Sequence, residues 1–267
     1  MFKNKIVIIT GSTQGIGFKT AELLAKKGAK LVINSRSPKK LETALENLLK
    51  LTPNVIGIAG NVSDYEFCIK LRNFTISHFG KIDILINNAG VASSGLLCEM
   101  TPRAYNYVFN SNISGSVYPT LACIKDIKAQ QGSVLFISSV AGIIGLPNYS
   151  AYSASKRAIV SLAESFKNEW FDDNVFVGIN YPGFTENDEK KTIVNSQGDE
   201  VLLAKRDGVK VNSLEKTASK IIHQLEAKQF RVYSSINAKI VQYLYSFFPK
   251  LCLFILRINR NKIINMQ

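Results

Sequence analysis

A chain of 267 residues, 46% of them hydrophobic, suits one large α/β domain with a sizeable core better than two small ones. Four cysteines spaced far apart and only two histidines, His78 and His223, argue against a disulfide framework and a zinc site, so a reducing compartment and no metal are expected. The net charge of +13 admits an anionic cofactor or anionic lipid, but not nucleic acid as the expected partner: no acidic residue follows Glu226, and the basic residues there flank a greasy tail without alternating with aromatics along a groove.

The first residues, MFKNKIVIITG, hold an apolar run too short for a secretory signal, and residues 5–10 read as a first strand. Further apolar runs follow at 30–35, 54–60, 82–87, 132–138, 175–180 and 230–235. Their continuous apolar character predicts strands buried on both faces, as in a parallel sheet covered by helices. Between them, residues 15–27, 38–51 and 152–171 carry apolar side chains at helical spacing. The alternation predicts a doubly wound, mostly parallel, Rossmann-like α/β fold with helices on both faces, spanning residues 1–236. Residues 184–212 interrupt it with a polar, charged insert before a helix over 213–228. Ligands of open α/β sheets bind beyond the carboxyl ends of the strands, so this insert is placed to act as a substrate lid; a solvated loop without a role is the alternative.

The stretch TGSTQGIG, Thr10 to Gly17, lies between the first strand and the first helix. Glycines there allow a tight turn and close approach to a pyrophosphate, which the free amides of the helix N-terminus then meet. Gly11, Ser12, Gln14, Gly15, Ile16 and Gly17 are therefore candidate cofactor contacts. At the end of the second strand a carboxylate would bind the ribose hydroxyl of NAD and repel a 2′-phosphate. The chain has NSRS instead, Asn34 to Ser37, and the Arg36 guanidinium suits phosphate oxygens. NADP(H) is expected over NAD(H), with Ser12 and Ser35 as further phosphate contacts.

YSASK, Tyr152 to Lys156, places a phenol and an ammonium one helical turn apart. Such a spacing arises about once by chance in a chain this rich in tyrosine and lysine. Its chemical meaning is that a nearby ammonium favours phenolate and lowers a pKa of about 10 toward the working range. Carbonyl reduction by hydride needs such an acid beside the oxygen.

Gly11, Gly15 and Gly17 have the spacing G-x-x-x-G-x-G, followed by NNAG at 87–90, NISG at 112–115, ISS at 137–139, YSASK and the PG of Pro182 and Gly183. In order and distances, over residues 5 to about 187, this set resembles the short-chain dehydrogenase/reductase family. The resemblance implies that Tyr152 is the general acid for reduction and base for oxidation, and that Lys156 tunes it and holds the nicotinamide ribose. It implies that Ser139 binds the substrate oxygen and that Asn112 supports Lys156 through a water; Ser138 is expected to be structural. It assigns Asn61 and Val62 to the adenine, although many members carry Asp before that Val, and Asn88, Ala89 and Gly90 to the cofactor and strand end. Pro182 and Gly183 follow, with Thr185 as the expected carboxamide contact because members often have Thr where this chain has Asn187. A homo-oligomer is also implied. Ile143, Ile144, Leu146 and Tyr149 either line a substrate pocket or pack the core.

The extension 237–267 contains AKIVQYLYSFFPKLCLFIL. Lys239, Gln242, Pro249 and Lys250 make it a marginal membrane span, and Pro249 would bend a helix there. Aromatics, aliphatics and basic residues without acids suit a helix lying in an anionic membrane interface; packing on a partner subunit or closing the pocket is the alternative. The resulting expectation is an NADP(H)-dependent oxidoreductase acting on a carbonyl or secondary alcohol, apolar or lipid-like, in the cytoplasm with peripheral membrane contact through this extension. An NAD-linked alcohol dehydrogenase and a dinucleotide sensor without turnover are the alternatives.

Overall fold

The computed structural model describes residues 1–186, 191–203 and 211–264. In chain order they form β1 (Ile6–Ile9), α1 (Gly15–Lys26), β2 (Lys30–Ser35), α2 (Pro38–Leu49), β3 (Val55–Ala59), α3 (Tyr65–Phe79) and β4 (Ile84–Asn87). Then come α4 (Pro102–Phe109), α5 (Gly115–Ala129), β5 (Ser133–Ile137), α6 (Ser150–Glu169) and β6 (Phe176–Tyr181). The short β7 (Thr192–Val194) and β8 (Glu200–Leu202) precede α7 (Leu214–Glu226), β9 (Arg231–Tyr233), α8 (Ile236–Phe247), α9 (Pro249–Ile258) and α10 (Arg260–Ile264).

Seven strands make one parallel sheet in the order β3-β2-β1-β4-β5-β6-β9. Alternate side chains of each strand enter opposite layers. On β1, Ile8 packs with Phe67, Leu71, Cys123 and Ile159 of α3, α5 and α6, while Val7 and Ile9 pack with Leu24, Leu41 and Ile221 of α1, α2 and α7. This two-sided burial is why the strands read as continuous apolar runs. Asp83, at the start of β4, clips the sheet's lower edge by accepting from the Ile6 amide at 3.0 Å and from the ammoniums of Lys5 and Lys81. Burial pushes its carboxyl upward, but these donors outweigh that and hold it below the usual carboxylate range. The strand order reverses between β1 and β4, which opens a crevice at their carboxyl ends.

The insert is not a plain loop. Glu186 donates its amide to the Asn212 carbonyl and Asn212 donates to that of Phe184, closing its base. β7 and β8 form an antiparallel hairpin, and β7 docks on the segment after β4 through Val194 N to Ala92 O at 2.9 Å and Ser94 N to Val194 O at 3.0 Å. Residues 187–190 and 204–210, with the expectation placed on Asn187, lie outside the described residues.

Candidate active site

The dinucleotide cradle is built where β1 runs into α1. Gly11 has φ of +60°, which only glycine adopts readily, and a Cβ there would stand 2.8 Å from the Ala89 Cα. Gly17 abuts the Asn88 amide group, so the glycine turn and the NNAG turn interlock without room for a side chain. Asn88 Nδ2 donates to the carbonyls of Thr10 and Gly11, and Thr10 Oγ1 accepts from the amides of Asn88 and Ala89 at 3.1 and 3.0 Å. No side chain caps the N-terminus of α1, so its first-turn amides are turned toward the crevice mouth as an anion seat. These features fit a pyrophosphate.

Ser12 packs into the sheet. It is fully buried, its Oγ donating to the Ile9 carbonyl at 2.7 Å and accepting from Asn34 N at 3.1 Å. That hydroxyl joins β1 to β2. Ser35 Oγ accepts from Ser37 N, and Asn34 Nδ2 donates to the carbonyls of Ile58 and Gly60, tying the ends of β2 and β3. Arg36 reaches over the Tyr107 ring, donates to its hydroxyl, and lies 3.7 Å from the Glu200 carboxylate of the insert hairpin. Gln14 is exposed at the turn and accepts from Lys40, while Ile16 packs beneath it. Asn61 Oδ1 accepts from the Ser63 amide and hydroxyl, and Val62 is buried between the sheet and α3.

The side chains read as catalytic meet at the end of β5. Ser139 and Tyr152 are half-buried; Lys156 and Asn112 are buried. Lys156 Nζ donates to the Ile137 carbonyl at 2.9 Å and lies 5.9 Å from the centre of the Tyr152 ring. Burial alone pushes its pKa down to about 8. Ser138 Oγ donates to the Lys156 carbonyl at 2.9 Å, anchoring this turn of α6 to β5. Ser139 Oγ accepts from Ala141 N at 3.3 Å, leaving its own proton to be directed elsewhere.

Asn112 sits in a π-helical turn, Asn110–Ser114, between α4 and α5. That turn rotates its side chain inward, a common use of such irregularities at functional sites. Its Nδ2 donates to the Val91 carbonyl and Ser155 Oγ, and its Oδ1 accepts from Val91 N. Gly90 lies between: a Cβ there would be 2.8 Å from Asn112 Oδ1 and 3.3 Å from Lys156 Nζ. The missing side chain lets the backbone of this turn approach the Asn112 amide oxygen and the Lys156 ammonium closely. Pro182 accepts from Val140 N across the cleft, Gly183 packs against Ser235, and Thr185 Oγ1 donates to the Gly183 carbonyl.

Comparison with known proteins now decides the family. The short chain dehydrogenase family model matches residues 5–198. The chain belongs to that family. It is 40% identical over 186 residues to 11-beta-hydroxysteroid dehydrogenase-like 2 of Arabidopsis thaliana, covering 69% of this chain and 60% of that protein. It is 33% identical over 221 residues to 11-beta-hydroxysteroid dehydrogenase-like 4A of the same plant, covering 80% and 70%. The chain thus spans somewhat less than two thirds of the first relative's length. A short-chain dehydrogenase/reductase crystal structure from Burkholderia phymatum, in complex with NAD, superposes with a TM-score of 0.82 at 23% identity, over 94% of this chain and 95% of that one. It has the same fold.

Thr10, Ser155, Tyr107 and Glu200 also contribute contacts at the site. Thr10 stood inside the quoted glycine stretch, and a hydroxyl closing a buried strand was its available clue. The other three approach through tertiary contact. Of the residues after Ser139, Ile143 packs in the core and, with Ile144 and Leu146, lines a cavity under the C-terminal helices, and Tyr149 lines a smaller one.

Proposed function

We propose that this protein is an NADP(H)-dependent oxidoreductase that interconverts an apolar, lipid-like carbonyl compound and its secondary alcohol. The observation that carries the reading is Lys156, buried against the Ile137 carbonyl beside Tyr152, with Gly90 packed closely against both its ammonium and the Asn112 amide oxygen. When bound, the nicotinamide dinucleotide supplies or accepts the hydride. In reduction, Ser139 donates a hydrogen bond to the carbonyl oxygen and Tyr152 gives it a proton as charge develops. Lys156, still protonated at neutral pH with a pKa of about 8, favours the resulting phenolate. A water held by Asn112 returns the proton from solvent. Oxidation reverses the order, with Tyr152 as base.

The absence of a carboxylate at the end of β2 and the presence of Arg36 support a 2′-phosphate. The Glu200 carboxylate beside Arg36 supports the second reading, an NAD-linked enzyme whose arginine is neutralised within the protein. The names of the plant relatives and the exposed apolar C-terminal helices support a lipid-like substrate taken from a membrane surface. The four free cysteines favour the cytoplasmic side.

The test is cofactor oxidation against ketones of graded chain length, with NADPH and NADH in parallel. Tyr152→Phe is expected to lose at least about 100-fold in kcat/KM. Arg36→Ala is expected to weaken NADPH by about tenfold and spare NADH. Equal use of both cofactors, indifferent to Arg36→Ala, would establish the NAD-linked reading; tight NADPH binding without turnover of any ketone would leave a sensor.

A further inference from the structure

A cavity of about 790 Å³ lies outside the reaction site, between the loop of residues 141–147, the start of α6 and the C-terminal helices. That size lies in the range of small-molecule sites. From the tail, Tyr245, Leu253, Leu256 and Ile264 line it. Ser139, Tyr152 and Lys156 are absent from its wall; Ser153 and Arg157 line it instead. Each follows a catalytic residue by one position on α6, which is about 100° around the helix, so the two sites lie on different faces of α6.

Charge distinguishes this cavity from a packing defect. Three arginines, Arg157, Arg257 and Arg260, border it, and no acidic residue does. Arg157 donates to the carbonyls of Gly142 and Ile143, and Arg260 donates to that of Arg257 at 3.0 Å. Among the described residues no carboxylate pairs with Arg257 or Arg260, and the sequence has no acid beyond Glu226 to offer from the tail itself. All three guanidinium groups are solvent-exposed at the edge of an apolar wall. A carboxylate matches the planar donor fork of such a group. The apolar wall then takes a hydrocarbon chain.

We propose that this cavity is a second ligand site, which takes a single-chain anionic amphiphile of the long-chain fatty acid class. The carboxylate sits between Arg257 and Arg260 and the chain runs under Leu253 and Leu256. The proposal is independent of which carbonyl compound the enzyme reduces, since it is read by binding and not by turnover.

The experiment uses the full chain, without vesicles, and displacement of cis-parinaric acid below its aggregation concentration. Palmitate is expected to displace the probe at least tenfold better than hexadecanol. Arg257→Ala/Arg260→Ala should remove that preference while NADPH binding and turnover of a short ketone stay unchanged. Leu256→Trp, which fills the cavity without altering charge, should weaken acid and alcohol alike. Equal displacement by acid and alcohol, or a preference that survives the double arginine variant, would overturn the proposal. So would competition between palmitate and the ketone, which would put the acid in the reaction cleft, or probe binding that appears only with anionic vesicles, which would make the arginines a surface docking patch.

Discussion

Lys156 is buried with its ammonium against a carbonyl, and its lowered pKa ties catalysis to stability. Its folded pKa of about 8 lies below the ordinary value of 10.5, so between those limits the unfolded chain binds more protons. Stability from this group is therefore fully present above pH 10.5, declines as pH falls, and is lost once pH drops below about 8. The shift corresponds to on the order of 3 kcal/mol. Relative to Lys156→Met, wild type without cofactor is expected to gain that amount between pH 7 and 10.5. Urea unfolding of both proteins across this range measures it, and the comparison cancels the other lysines and tyrosines. Parallel curves would show that the ammonium is not desolvated. In the same window, kcat/KM for reduction should fall as pH rises through about 8, because the free enzyme loses the charge beside Tyr152.

At the scale of elements, the β7–β8 hairpin is the unexpected part. A polar insert reads as a lid, and the structure gives it a folded tip tied to the segment after β4 and an acidic residue aimed at Arg36. Both charged partners are about half exposed, so the pair is weak by itself. A 2′-phosphate would compete with Glu200 for the same guanidinium. Glu200→Gln is thus expected to tighten NADPH binding by about two- to fivefold at low salt, to leave NADH unchanged, and to lose the difference at high salt. Fluorescence titration of the two cofactors reads it. An equal gain for both would make Glu200 a steric element of the hairpin and remove its link to the phosphate.

At the scale of the whole molecule, the C-terminal helices break the usual sorting of apolar residues. Between Ile236 and Ile258 most large apolar side chains are exposed, Ile236 at 74% and Phe247 at 72%, and only Ala238 is buried. No single described helix is long and apolar enough to cross a membrane; α8 and α9 pass that test only as a pair bent by 119° at Pro249. An apolar surface of this extent with basic neighbours suits an interface with anionic lipid. Sedimentation with vesicles is expected for the full chain, weakened by salt, and lost on deletion of residues 237–267, while NADPH binding persists. Unchanged sedimentation of the deleted protein would place the lipid contact elsewhere.

Much of this protein was legible in one dimension. Parallel strands buried on both faces must be apolar throughout, so β1 to β6 announced themselves, and a turn that needs φ above zero or no Cβ must carry glycine, so Gly11 and Gly17 marked the cradle. Helical spacing alone put Lys156 beside Tyr152. Contacts between residues distant in the chain obey no such local rule. Sequence alone did not show that the Ser12 hydroxyl bridges β1 and β2, nor that Gly90 is a close approach of separate segments, where a Cβ would stand 2.8 Å from Asn112 Oδ1 and 3.3 Å from Lys156 Nζ. The pairing of Arg36 with Glu200, and the arginines bordering the tail cavity, likewise exist only because the fold brings distant segments together. Local backbone and burial demands are written residue by residue, while side-chain roles depend on which partners the fold delivers.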